Sequence, residues 1–149
     1  MKRLSIIFLS ICLFLAGCSE KPPVVEKPVA GPALLSVTPE NGVEGLSGKE
    51  LTVTLIFDQN VKCPSAQQKN VSIDNGATLA KVNAFNEKVT VDIVSLEENG
   101  KTYTLVIPKG TISGFKEHQD TADEIRFSFT MKYVEPYEPS DLDPVKSLV

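Results

Sequence analysis

The sequence predicts an all-β chain folded as a two-sheet β-sandwich of about seven short strands. Three observations carry that expectation. Apolar residues recur with period two from Leu34 onward; turn dipeptides such as Asn41-Gly42, Asn75-Gly76 and Asn99-Gly100 separate the runs; and no stretch of ordinary helix length shows a helical period.

The elements follow in order. LLSVTPENG reads as a first strand from Leu34 that ends at Pro39, with Asn41-Gly42 as its turn. In KELTVTLIFDQNV, Leu51, Val53, Leu55 and Phe57 share one face and Thr52 and Thr54 the other. Ile56 departs from the alternation, so it is expected either to be buried on both sides or to pair near an edge; Asp58 to Asn60 end the run. VSIDNG closes on Asn75-Gly76, and TLAKVNAF resumes extended structure. Phe85-Asn86-Glu87-Lys88 is a tight connection into VTVDIV, where Val89, Val91 and Ile93 alternate with Thr90, Asp92 and Val94. Leu96 to Gly100 reads as a polar turn. Tyr103, Leu105 and Ile107 then form one face of YTLVI, closed by Pro108 and Gly110; Ile125, Phe127 and Phe129 point inward in EIRFSFT, with Arg126 and Ser128 outward. Phe57, Tyr103, Phe127 and Phe129 are the expected core, with the branched aliphatics around them. The chain has no tryptophan, which excludes the Cys…Trp…Cys centre of an antibody domain.

The first 17 residues stand apart from this body. Lys2 and Arg3 give a positive start, and the apolar run from Leu4 to Ala16 covers 13 residues. A bilayer-spanning helix needs about 20, so the segment reads as a secretory signal rather than an anchor helix. Leu15-Ala16-Gly17-Cys18 resembles the lipobox of bacterial lipoproteins. That resemblance implies cleavage between Gly17 and Cys18 and attachment of lipid, acyl chains such as palmitate, to Cys18. Two or three chains hold a protein to a bilayer where one does not. Ser19, in place of the aspartate that retains many lipoproteins in the inner membrane, implies the outer membrane; whether the body faces the periplasm or the cell surface is left open.

Residues 18–33 form an expected tether, with Pro22, Pro23, Pro28 and Pro32 favouring extended conformers. Residues 34–131 are the sandwich. Residues 132–149 carry Pro136, Pro139 and Pro144 and read as an acidic tail, either a linker to a following domain or the end of a small lipoprotein.

Charge narrows the partners. Loss of Lys2 and Arg3 from 15 basic residues leaves 13 against 19 acidic, a net of −6, with no basic cluster in the body. Nucleic acid and anionic lipid head groups both demand a concentrated cationic face, so neither is an expected partner of the body.

Candidate chemistry is sparse. His118, the single histidine, has only Glu117, Asp120 and Asp123 near it in sequence, and a solvated loop accounts for it better than a metal site. Asp58 and Asn60 lack a calcium-loop pattern and read as turn residues. Glu97 and Glu98 are adjacent in a turn and do not face each other across a cleft as glycosidase carboxylates do. No G-x-S-x-G elbow is present. Cys63 is left without an internal disulfide partner once Cys18 is acylated, and is expected to be partly buried. No catalytic residue, metal site or cofactor is expected. Exposed aromatics are the remaining candidates: Phe115 and Tyr133 for glycan contact, with Tyr137 and Phe85 beside them.

Ser36 to Gly42, Leu51 to Val61, the Asn99-Gly100-Lys101-Thr102-Tyr103 stretch and Ile125 to Thr130 together resemble the bacterial Ig-like domains first described in surface-layer proteins. GFKEHQDTAD, from Gly114 to Asp123, departs from the Asp-x-x-Gly-Asn of those domains. The resemblance implies an Ig-like β-sandwich. The wider layout is similar to the N-terminal part of glycan-degrading lipoproteins of the Bacteroides group, in which an Ig-like module precedes a glycoside hydrolase domain. The expected function is therefore a non-catalytic, lipid-anchored spacer or protein-interaction domain at the cell envelope. Its alternative is an accessory module that binds polysaccharide or positions a hydrolase domain.

Overall fold

The structure, a computed structural model, describes residues 29–117 and 119–136. Eight strands form: β1 (Leu34–Thr38), β2 (Val43–Leu46), β3 (Glu50–Phe57), β4 (Ser72–Ile73), β5 (Thr78–Phe85), β6 (Lys88–Val94), β7 (Thr102–Ile107) and β8 (Ile125–Met131). A single helical turn, α1 (Ser65–Gln68), follows Pro64. The strands make two four-stranded sheets, ordered β1-β3-β6-β5 and β2-β8-β7-β4. Except for the β2/β8 pair, which is parallel, neighbours are antiparallel.

Alternation dictates which face each strand buries. On β3, Val53, Leu55 and Phe57 enter the core; on β6, Val89, Val91 and Ile93; on β7, Tyr103, Leu105 and Ile107; on β8, Ile125, Phe127, Phe129 and Met131. These inner faces meet as one cluster between the sheets. Each large side chain buried there contributes on the order of 1.5–3 kcal/mol, against the backbone entropy that strand formation costs. Ile56 points to the outer side of β3 and is half-buried. That strand lies between β1 and β6, so the break in alternation marks an interior strand and not an edge.

Within the strands and the turns between them, two features differ from the sequence expectation. β2 was not expected: Val43-Glu44-Gly45-Leu46 has a glycine with φ of 74° in its interior and no alternation to announce it. It forms because β8 offers a free edge, which Val43 and Leu46 meet at Phe129 and Met131. Leu96 is the second. It begins a run read as a polar turn, yet it is buried at 3% exposure, held by its N–H donating to the Lys49 carbonyl.

Tyr103 closes the connection between β6 and β7. Its ring is fully buried and stacks on Phe129 at 5.5 Å between centroids. Its hydroxyl accepts a hydrogen bond, 3.1 Å, from the Glu97 N–H six residues upstream. That is the tyrosine corner of Ig-like sandwiches, placed as in those domains near the start of the penultimate strand. Leu105, two residues on, stands where antibody domains have their second cysteine.

The two ends of the sandwich are distinct. Ala33 exchanges hydrogen bonds with Asp58 at one end, where Val29 also bridges to Gln119. At the other, Tyr133 bridges to Asn99 and Val134 donates to the Glu98 carbonyl. The seven residues of β8 separate them, about 24 Å at strand rise.

Candidate functional site

The end that carries Val29 is built from three connections. The first is the strap 29–33, assigned from sequence to the tether and here hydrogen-bonded to the body. Asp120 N–H donates to the Val29 carbonyl at 2.9 Å, and Ala33 N–H to Asp58 Oδ1 at 2.9 Å. Gln119 ties strap to loop: its Nε2 lies 2.8 Å from both the Ala30 carbonyl and Gln59 Oε1, while its Oε1 accepts from Lys116 N–H at 3.3 Å. The Gln119 amide fills the space that the missing side chain of Gly114 leaves, and Gly31 lies directly against the Thr121 carbonyl.

The second connection is the segment after β3. Lys62 pairs with Ser113 through two backbone hydrogen bonds of 2.8 and 3.0 Å, so the loop following β7 is fixed against it. Asp58, expected to bond locally as a turn residue, reaches instead to Ala33, 25 positions away. The third is the β5–β6 hairpin, whose turn is Asn86-Glu87; Asn86 adopts φ of 53°, a conformation asparagine tolerates, and its carbonyl accepts from Val61 N–H at 2.8 Å.

Between the second and third of these, closed by the loop after β7, lies a groove of about 490 Å³. Phe85 from the hairpin and Phe115 from the loop both line it, at 70% and 65% exposure. Lys62 Nζ sits 5.2 Å from the Phe115 ring centroid, a cation–π contact. Gln68 from α1, with Asn83 and Asn86 from the hairpin, supplies amide groups to the walls. Cys63 forms part of the floor; it is a free thiol, buried, and burial pushes its pKa up. A thiol so placed is held in its unreactive protonated form.

The expected glycan contacts are not neighbours. Phe115 shares the groove with Phe85, whereas Tyr133 lies at the opposite end, its ring beside Gly100 at 3.6 Å from where a side chain there would begin. Cys18, Gly17, Tyr137 and His118 lie outside the described residues. Glu97 and Glu98 point to separate partners: Glu97 forms an ion pair with Lys101 at 2.7 Å, and Glu98 accepts from the Gly48 N–H. The hydrogen bond from Lys101 holds the Glu97 carboxyl below the usual range, and the Lys101 ammonium is raised in turn. Both are solvated surface groups. Among the described residues no three His, Cys, Asp or Glu side chains come together to hold a metal, and no helix is long and apolar enough to cross a membrane.

A second, more enclosed cleft of about 370 Å³ opens where β2 stops covering β8, between Leu34, Phe57 and Ile125. Asp123, Glu124 and Arg126 rim it. Arg126 and Glu124 there pair with each other at 2.7 Å.

Sequence reasoning found both phenylalanines as exposed but had no means of seeing that they line one groove. Lys62 and Gln119 were missed altogether. A lysine beside a cysteine and a glutamine in a loop carry no sequence signal; their roles arise from the tertiary approach of segments 50 or more positions apart.

An antiparallel sandwich with strands A-B-E-D on one sheet and C-F-G on the other, a tyrosine corner and no inter-sheet disulfide defines the class as an Ig-like module. In this chain β1-β3-β6-β5 takes the first order and β4-β7-β8 the second, with β2 added beside β8. The chain belongs to the bacterial Ig-like domain family, whose match covers residues 28–131. Domains of this kind are generally non-catalytic. Comparison with curated proteins gave no match.

Proposed function

We propose that the protein is a lipid-anchored Ig-like module of the bacterial outer membrane, acylated at Cys18, that serves as an in-line spacer and interaction domain. The observation that carries this reading is the placement of the chain ends. The strap leading back toward Cys18 joins the sandwich beside Gln119, and the segment leading to the acidic tail leaves at the opposite end beside Asn99. A module strung this way holds whatever lies on its far side one sandwich length further from the bilayer. The usual extracellular or envelope-associated setting of the family supports the same reading. The groove favours a second role beside it, contact with polysaccharide, in line with an accessory module of a glycan-degrading system.

Intact mass of the protein from the membrane fraction, beside a Cys18→Ser form, tests the anchor. The expected result is a chain beginning at residue 18 that carries two or three acyl chains, with the serine form released from the membrane. A soluble, unmodified protein would overturn the anchor and return Cys18 and Cys63 to consideration as a disulfide pair. Protease added to whole cells then separates a surface-exposed body, which is digested, from a periplasmic one, which is spared.

A further inference from the structure

We propose that the groove between the β5–β6 hairpin and the 114–123 loop binds an anionic polysaccharide, a polymer of hydroxyl-rich rings bearing carboxylates. It rests on the polysaccharide role above and names its ligand class and residues.

Single exposed apolar side chains are ordinary on protein surfaces. Phe85 and Phe115 are a different case: they come from elements 30 positions apart and line one groove, and neither belongs to the core cluster. A phenyl face left in water is a platform for the apolar face of a sugar ring, which stacks on it as other flat partners do. The walls around the rings carry Asn83, Asn86 and Gln68. Each amide has both donor and acceptor atoms, the complement that hydroxyl groups require.

Charge selects among sugars. Lys62 is the one charged residue among those lining the groove, in a chain whose net charge is −4. Its ammonium covers one face of Phe115, so a ring stacks on Phe85 or on the other face of Phe115 with the cation close by. A carboxylate on the stacked sugar or its neighbour meets this cation, while the acidic remainder of the surface repels the same ligand. One cation is too few for a nucleic acid backbone or a vesicle of anionic lipid, both of which are gripped by clusters. An acidic peptide would satisfy Lys62 but leave the two phenyl faces and the amides without matched partners.

The groove is also preformed. Backbone hydrogen bonds tie Lys62 to Ser113 and Val61 to Asn86, so binding does not first have to order the loops.

The full chain, purified in detergent, is run by affinity electrophoresis through gels containing polygalacturonate, alginate, neutral mannan or poly-glutamate. This readout is independent of acylation, so failure of the anchor and failure of the groove are distinguishable. Retardation by the two uronate polymers is expected, with mannan and poly-glutamate without effect. Phe85→Ala and Phe115→Ala should each weaken uronate binding by about fivefold or more. Lys62→Gln should weaken it by a similar factor and flatten its salt dependence. Leu35→Ala, an exposed apolar change on β1, should leave it unchanged, and all four variants should melt as the parent does. Equal retardation by mannan overturns the anionic assignment, and equal retardation by poly-glutamate overturns ring stacking. Loss of retardation by every polymer, or parental binding in both phenylalanine variants, overturns the site.

Discussion

Replacement of Tyr103 by phenylalanine isolates a single atom. The ring, its complete burial and its stacking on Phe129 are retained, and only the hydroxyl that accepts from the Glu97 N–H is lost. The N–H is left in a part-buried position without its acceptor. Leaving such a donor unsatisfied costs about 1–3 kcal/mol, and partial access of water places this case near the lower half, about 1.5 kcal/mol. For a domain of roughly 100 residues that lowers Tm by about 6–12 °C. With a urea m-value of about 1.5 kcal/mol per molar, the midpoint falls by about 1 M. The chain has no tryptophan, so unfolding is best followed by far-UV circular dichroism. Tyr103→Ala serves as the upper bracket, since it also removes the ring from the core, at a cost of about 3–5 kcal/mol. A midpoint for Tyr103→Phe within about 0.2 M of the parent at unchanged m would show that the corner is bonded to water as readily as to the hydroxyl. The Tyr103 hydroxyl would then contribute nothing to closing the connection between β6 and β7.

Cys63 at pH 8 should react with iodoacetamide at least about tenfold more slowly in the folded chain than in guanidinium, followed by peptide mass mapping, because burial raises its pKa and keeps the thiolate scarce until the pH climbs past the ordinary thiol value of 9.0; equal rates would place the sulfur at the surface. Gly31→Ala should free the strap and expose 29–33 to limited proteolysis, at about 1–3 kcal/mol of stability, because a methyl there meets the Thr121 backbone carbonyl, which cannot move aside. Gly114→Ala displaces only the end of the Gln119 side chain and should cost less; the reverse order would refute the packing described for the strap.

What was legible in the sequence was the part set by local alternation. β3, β6, β7 and β8 announce themselves because every second residue is apolar, and a sheet with one buried face demands that pattern. Phe57, Tyr103, Phe127 and Phe129 lie in the core for that reason. β2 was illegible because its reason for existing belongs to its neighbour: four residues with an internal glycine extend only against the edge of β8. Leu96 was illegible because one apolar residue in a polar turn has no period; it is buried where the Tyr103 corner closes over the turn. The groove divides the same way. Exposure of Phe85 follows from its place at a hairpin turn, but its sharing a groove with Phe115 depends on the pairing of Lys62 with Ser113, a contact between residues 51 positions apart.

The opposite placement of the chain ends has a mechanical consequence. Tension applied through the strap and through the segment after Met131 runs along β1 and β8, which point the same way and lie in different sheets. The hydrogen bonds joining β1 to β3, and β8 to β7 and β2, lie across the pull. They are therefore loaded together, in shear, and do not peel open one after another. β1 and β8 are not bonded to each other, so the load crosses between the sheets through β2, which continues the chain from β1 and pairs with β8, and through the packed side chains of the core. The domain is in this way built to carry force applied through its two ends, and single-molecule extension from those ends should show rupture in one cooperative step.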